Sequence, residues 1–158
     1  MTINPRGRSN IVAAEPIAVL RPLRQSDSEA VARWYDKATV LAGERCSLGD
    51  LLDSTGRRRT LVLTDGTNQE PLGLMLIALD DPEDGWATVA LLAIAAPEQR
   101  DLATEGVALL ETNLGQKATR IRAAVPADVG LALYFWLRLG YRPAAADGRL
   151  WMIRDLDA

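Results

Sequence analysis

The chain contains no histidine and a single cysteine, Cys46. Without imidazole there is no Ser-His-Asp or Cys-His arrangement and no ordinary zinc site. One thiol forms no internal disulfide, which fits a reducing, cytoplasmic setting. No apolar run approaches the ~20 residues that a membrane helix needs, so no membrane partner is expected. Positive charge is not in excess: the formal net charge is −3. That argues against nucleic acid and leaves room for an amine substrate. Residues 1–15 have two arginines but neither the apolar core of a signal peptide nor any periodicity, and are expected to form a flexible arm.

What is present is ordinary globular material: 158 residues, 48% hydrophobic and 25% charged. This predicts one domain over residues 16–158. Ile17 to Arg24 reads as a strand, at a sheet edge because of Pro22. Ser26-Asp-Ser-Glu29 has the spacing of a capping box, and the helix it opens places Val31, Trp34, Tyr35, Ala38 and Leu41 on one face up to Gly43. A short second helix is expected from Ser47 to Asp53. Strands follow at Thr60–Thr64, Leu72–Leu79 and Trp86–Ala95, the last so apolar that both its faces should be buried. Asp101 is placed to cap a helix running to Gly115. After it come a strand over Arg120–Val125 and a helix over Val129–Leu139, capped by Asp128 and apolar on nearly every side. A hairpin closes the chain around Asp147-Gly148. The order β-α-α-β-β-β-α-β-α-β-β predicts an α/β (α+β) fold with a mixed sheet flanked by helices.

Two segments are more specific than that order. Ala132-Leu-Tyr-Phe-Trp136-Leu-Arg-Leu-Gly140-Tyr141 resembles the fourth-helix pattern A-x-x-[FL]-[YW]-x-x-L-G-[FY] of the GNAT superfamily of acyl-CoA-dependent N-acyltransferases. Pro97-Glu-Gln-Arg100-Asp-Leu-Ala103-Thr104-Glu105 is similar to the coenzyme A segment P-x-x-R-G-x-G-x-A-T-E of its ribosomal-protein-acetylating branch. Leu20-Arg21-Pro22-Leu23, followed by a helix with Trp34, also resembles that branch. The resemblance implies a mostly antiparallel GNAT-type sheet whose fourth and fifth strands part in a V. Acetyl-CoA or another acyl-CoA would lie there as co-substrate. Its pantetheine would pair with Leu92, Ala93, Ile94 and Ala95, its phosphates would sit on Gln99, Arg100, Asp101, Leu102 and Ala103, and Trp136 would form a wall. Helix N-termini with free N–H groups suit phosphate oxygens. This loop, however, is two residues shorter than the pattern and has no glycine, and Asp101 puts a carboxylate where the pattern has glycine.

The implied activity is transfer of an acetyl or similar group to a small-molecule amine or a protein N-terminus, directly in a ternary complex. Trp136 replaces the family's frequent acid tyrosine, and an indole N–H has no useful acidity. Tyr134 is the candidate general acid, provided that the helix register brings it to the cleft. Trp34, Tyr35 and Glu44, on the two-helix segment that walls the acceptor side in this family, are the candidate acceptor contacts. The bland alternative for Trp34, Tyr35 and Trp136 is packing. Two other readings stay open: a GNAT-fold binding or regulatory protein that has lost the cofactor, and a thioester enzyme doing decarboxylation or hydrolysis. Homodimerisation also stays open.

Overall fold

The computed structural model describes residues 17–53, 55–66, 69–127 and 129–156. The expected arm at residues 1–15 and the capping by Asp128 lie outside them. The strands are β1 (Val19–Pro22), β2 (Thr39–Gly43), β3 (Arg58–Thr64), β4 (Gly73–Leu79), β5 (Trp86–Ile94), β6 (Arg120–Ala124), β7 (Arg142–Ala146) and β8 (Arg149–Asp155). The helices are α1 (Ser28–Ala32), α2 (Leu48–Leu52), α3 (Arg100–Leu114) and α4 (Val129–Arg138). The strands form one sheet in the order β1-β3-β4-β5-β6-β8-β7, with β2 added against β5. Only β5 and β6 run parallel, joined by α3 as the crossover; the other pairs are antiparallel. β1, with Pro22, is an edge as expected, because proline cannot donate to a ladder.

Two buried clusters sandwich the sheet. One face packs Leu63, Met75, Leu92, Ile94 and Ile121 under α3 and α4. The other packs Val62, Leu74, Leu76, Leu91 and Ala93 against Val31, Tyr35 and Leu51 from the α1–α2 segment. Consecutive β5 residues thus feed opposite clusters, which is why the strand shows no polar alternation. The closing hairpin turns on Asp147 and Gly148, both at positive φ (54° and 72°), as a two-residue primed turn requires. Among the described residues no helix is long and apolar enough to cross a membrane.

Four local expectations change. The first helix ends at Ala32; Tyr35–Lys37 is a 3-10 turn, and Thr39–Gly43 is a strand. Its start is held by Asp27, whose Oδ2 accepts from the Arg24 N–H at 2.8 Å while both carboxylate oxygens take the Arg21 guanidinium, so Ser26-Glu29 is not the capping pair. Asp101 does not cap α3. Pro97 opens a 3-10 turn that runs straight into the helix with Gln99 at the N-cap, which leaves Asp101 inside the first turn and exposed. Finally, α4 is not apolar-buried all round: Ala132, Phe135 and Trp136 are buried, but Leu131, Tyr134 and Leu137 face out.

Candidate functional site

The outer edge of β5 forks at Ala90. Before it, Trp86 to Val89 pair in parallel with Arg120 to Ala123 of β6. Beyond it β6 turns towards β8, with the Val125 N–H donating to Leu150 O. The V expected between these strands is therefore present, but it is filled. Thr39, Val40, Ala42 and Gly43 of β2 stand opposite Ile94, Ala93, Leu92 and Leu91, and Leu41 bulges out of the ladder. Leu41 is fully buried in the α3–α4 cluster, and its carbonyl accepts a hydrogen bond from Trp136 Nε1 at 2.7 Å. Gly43 makes the approach possible. Its φ is +70°, and a Cβ there would lie 1.8 Å from Ala90 O.

The expected pantetheine-pairing residues are therefore enclosed. Leu92, Ala93 and Ile94 are fully buried and paired on both edges, by β4 and β2, and the Ala95 N–H donates to Leu72 O. In the segment expected to hold phosphate the Gln99 N–H donates to Ala96 O and the Arg100 N–H to Pro97 O, so two backbone donors are turned inward. Leu102 and Ala103 are buried in the core. Trp136 has no exposed surface and stacks edge-on with Phe135 and Tyr141 at centroid distances of 5.1 and 4.8 Å.

Three of the expected residues do converge, at the mouth of a cavity between the first turn of α3 and α4. Arg100 and Asp101 from α3 and Tyr134 from α4 line this cavity of about 250 Å³, together with Thr104, Leu131 and Arg138. The Arg138 guanidinium lies 5.6 Å from the centre of the Tyr134 ring, and Tyr134 is 56% exposed. Two guanidiniums against one carboxylate suit this mouth to a phosphate by charge. Sequence reasoning missed Arg138 and Thr104. The signal was helical spacing, since each lies four residues from a residue it did single out. Leu131 also lines a second cavity of about 340 Å³, between β2 and the start of α4, with Val40, Arg45 and Pro126.

The proposed acceptor contacts are not gathered around either cavity. Trp34 Nε1 donates to Pro71 O at 3.2 Å. Tyr35 is 6% exposed; its hydroxyl donates to Cys46 O at 2.8 Å and accepts from Cys46 N–H at 3.1 Å. These bonds tie the segment before β2 to the one after it. Burial pushes the Tyr35 phenol up to about 12. Glu44 directly follows β2 and is exposed.

No protein-family model and no curated protein matches the sequence. Solved structures match over nearly the whole chain. An acetyltransferase from Thermus thermophilus is 25% identical, with a TM-score of 0.72 over 89% of this chain and 98% of that one. The ribosomal-protein-S18-alanine N-acetyltransferase of Escherichia coli is 17% identical, with a TM-score of 0.65 over 89% and 95%. A point mutant of the spermidine N-acetyltransferase SpeG from Vibrio cholerae is 15% identical, with a TM-score of 0.61 over 89% and 94%. The fold is that of the GNAT superfamily of acetyltransferases.

Proposed function

We propose that the protein is an N-acyltransferase that carries an acetyl or similar group from acyl-CoA to an amine, on a small molecule or a protein N-terminus. The observation that supports this is the fork of β5 and β6 on a fold shared with acetyltransferases, together with a cavity between α3 and α4 that holds Arg100 and Arg138. Acyl-CoA supplies the activated acyl group as a thioester. The amine nitrogen bonds the carbonyl carbon, the C–S bond breaks, and the thiol leaves with a proton. The leaving thiolate takes that proton from solvent and the amine loses its own there; Tyr134 lines the same small cavity as Arg100 and Arg138, a pantetheine's length from the sulfur when those arginines hold the phosphates. Arg100 and Arg138 hold the phosphates.

Acyl-CoA does not fit along Leu91–Ile94 while β2 is seated, because β5 is paired on both sides there. In this reading β2 leaves, which frees the backbone edge and turns Trp136 Nε1 into an unpaired donor facing the cleft. Unseating Leu41 forfeits roughly 1.5–3 kcal/mol of burial, and its hydrogen bond about 1 kcal/mol more. Acyl-CoA affinity then drops by about two to three orders of magnitude below that of an open cleft.

The same strand favours a second reading, a GNAT-fold binding protein whose cofactor cleft is permanently closed. Titration calorimetry with acetyl-CoA separates the two. The acyltransferase reading expects weak binding that tightens by about 1–2 kcal/mol in Asp101→Gly, since a carboxylate near phosphate is removed. No heat from either protein at millimolar ligand rejects it.

A further inference from the structure

The cluster beneath α1 and α2 takes in residues of β3, β4 and β5 but none of β6, β7 or β8. Among the described residues the helices of that cluster stop short of the last three strands; on that side Arg142 and Arg149 are exposed and Trp151 and Ile153 half-buried, while Thr88 and Ala124 are buried. Strand parity decides what they display. Thr88 stands opposite Arg122, Arg122 opposite Ile153, and Ile153 opposite Arg142, so these four make one row across that face, from buried Thr88 to exposed Arg142. One pleat away, Ala124, Trp151 and Ala144 form the next row, and Arg149 shares their side of β8, two residues before Trp151. The other parity, with Ile121, Ala123 and Met152, is buried in the α3–α4 cluster.

The charges on this face do not cancel. The Arg122 side chain is 14% exposed and lies 3.7 Å over the Trp151 ring. Its Nε donates to Thr88 Oγ1 at 2.9 Å, but Asp81 approaches only to 3.7 Å. Arg149 sits 5.4 Å from the same ring. Among the described residues neither Arg142 nor Arg149 has a carboxylate partner, whereas Arg120 is paired with Asp155. Trp151 Nε1 is buried and has no acceptor. Keeping an exposed sheet soluble would need charge of either sign. It does not account for two guanidiniums over one indole, of which only Arg122 has a carboxylate partner, beside a third, Arg142, without one, in a chain whose net charge is −3.

We propose that this face docks an acidic peptide segment of another protein, with carboxylates at both ends of a short extended stretch and an apolar side chain between them. Arg149 lies four residues from Ile153, the partner of Arg142, so the two unpaired cations are about 13 Å apart along the strand direction. Carboxylates four positions apart in an extended peptide span the same distance, and the residue midway falls on Trp151 beside the small side chains of Ala124 and Ala144. A nucleic-acid strand fits less well. The surplus is two charges, and the acidic turn at Asp80, Asp81, Glu83 and Asp84 borders the face and repels a longer polyanion. This inference does not depend on the acyltransferase reading.

The test is an NMR titration of the full chain, without acyl-CoA and at low salt, with the blocked peptide Glu-Ala-Leu-Ala-Glu. The expected result is saturable binding that moves one indole N–H resonance, that of Trp151, and weakens as salt is added. The double variant Arg142→Glu/Arg149→Glu should bind at least tenfold more weakly. Lys117→Glu, at an exposed position after α3, should stay within twofold of the parent. No binding at millimolar peptide, equal binding by the double variant, or tighter binding of an oligothymidylate than of the peptide would each overturn the proposal.

Discussion

From Trp86 to Val89 the outer edge of β5 is paired in parallel with β6, and from Leu91 to Ile94 it is paired in the opposite sense with β2. The first half follows from local rules: a strand, a crossover helix and a second strand lying alongside. The second half depends on a segment some fifty residues upstream, with α2, β3 and β4 between the two in the chain. It is held by a bulged leucine, one indole hydrogen bond and a glycine that tolerates backbone contact. Two halves of one strand are thus completed by different kinds of constraint, and only the second covers residues expected to pair with pantetheine.

The largest change expected at this fork comes from Trp136→Ala. A fully buried ring packed on Phe135 and Tyr141 is lost, and Leu41 O is left without its donor. Urea unfolding should show a loss of about 3–5 kcal/mol. A value near 1 kcal/mol would mean that the tryptophan does not hold the two halves together.

Next is Gly43→Val, which places a branched side chain at φ +70° against Ala90 O. It should unseat β2 and lower stability by roughly 2–4 kcal/mol. Hydrogen exchange should quicken at Val40–Gly43 while the β6 amides stay protected. Equal loss in both halves would show that the fork acts as one unit.

Alkaline unfolding probes the tie across β2. The Tyr35 phenol titrates near 10 when unfolded and is pushed up to about 12 when folded, so its contribution is intact below pH 10. Between pH 10 and 12 the folded state holds a proton that the unfolded state has lost. Stability should then fall by about 1.4 kcal/mol per pH unit from this group. Tyr141, pushed up first by burial and then by its hydrogen bond to Glu111, adds a loss of the same sign. Tyr35→Phe should make the slope shallower; an unchanged slope would leave Tyr35 no part in it.

The smallest effect concerns the mouth. Arg138→Gln should weaken acetyl-CoA several-fold in calorimetry and leave the unfolding midpoint nearly unchanged, because the side chain is exposed.

Much of the frame was legible because it is written in short-range pattern. Trp86–Ile94 shows its double burial as an unbroken apolar run, and Asp147-Gly148 marks its own turn. The segment from Val31 to Leu41 misled for the same reason. Its apolar spacing of three and four fits a helix, yet the helix stops after five residues and Thr39–Gly43 pairs as a strand. A ladder with buried Leu91–Ile94 outweighs a weak helical preference in a stretch holding Thr39 and Val40. Arg100, Asp101 and Tyr134 were singled out from the sequence and do meet at one cavity. What covers Leu91–Ile94 was not legible, because no local signal links Gly43 to Ala90. The arginine–tryptophan face was equally hidden, since it is assembled from three strands whose parity only the register fixes.

The central claim is that β2 and acyl-CoA compete for one edge of β5. Hydrogen–deuterium exchange of Val40–Gly43, followed as acetyl-CoA is raised to saturation, tests it most directly. The account predicts slow exchange in the free protein and a graded loss of protection that tracks occupancy, with Trp86–Val89 unchanged. Bound acetyl-CoA with Val40–Gly43 still fully protected would contradict it.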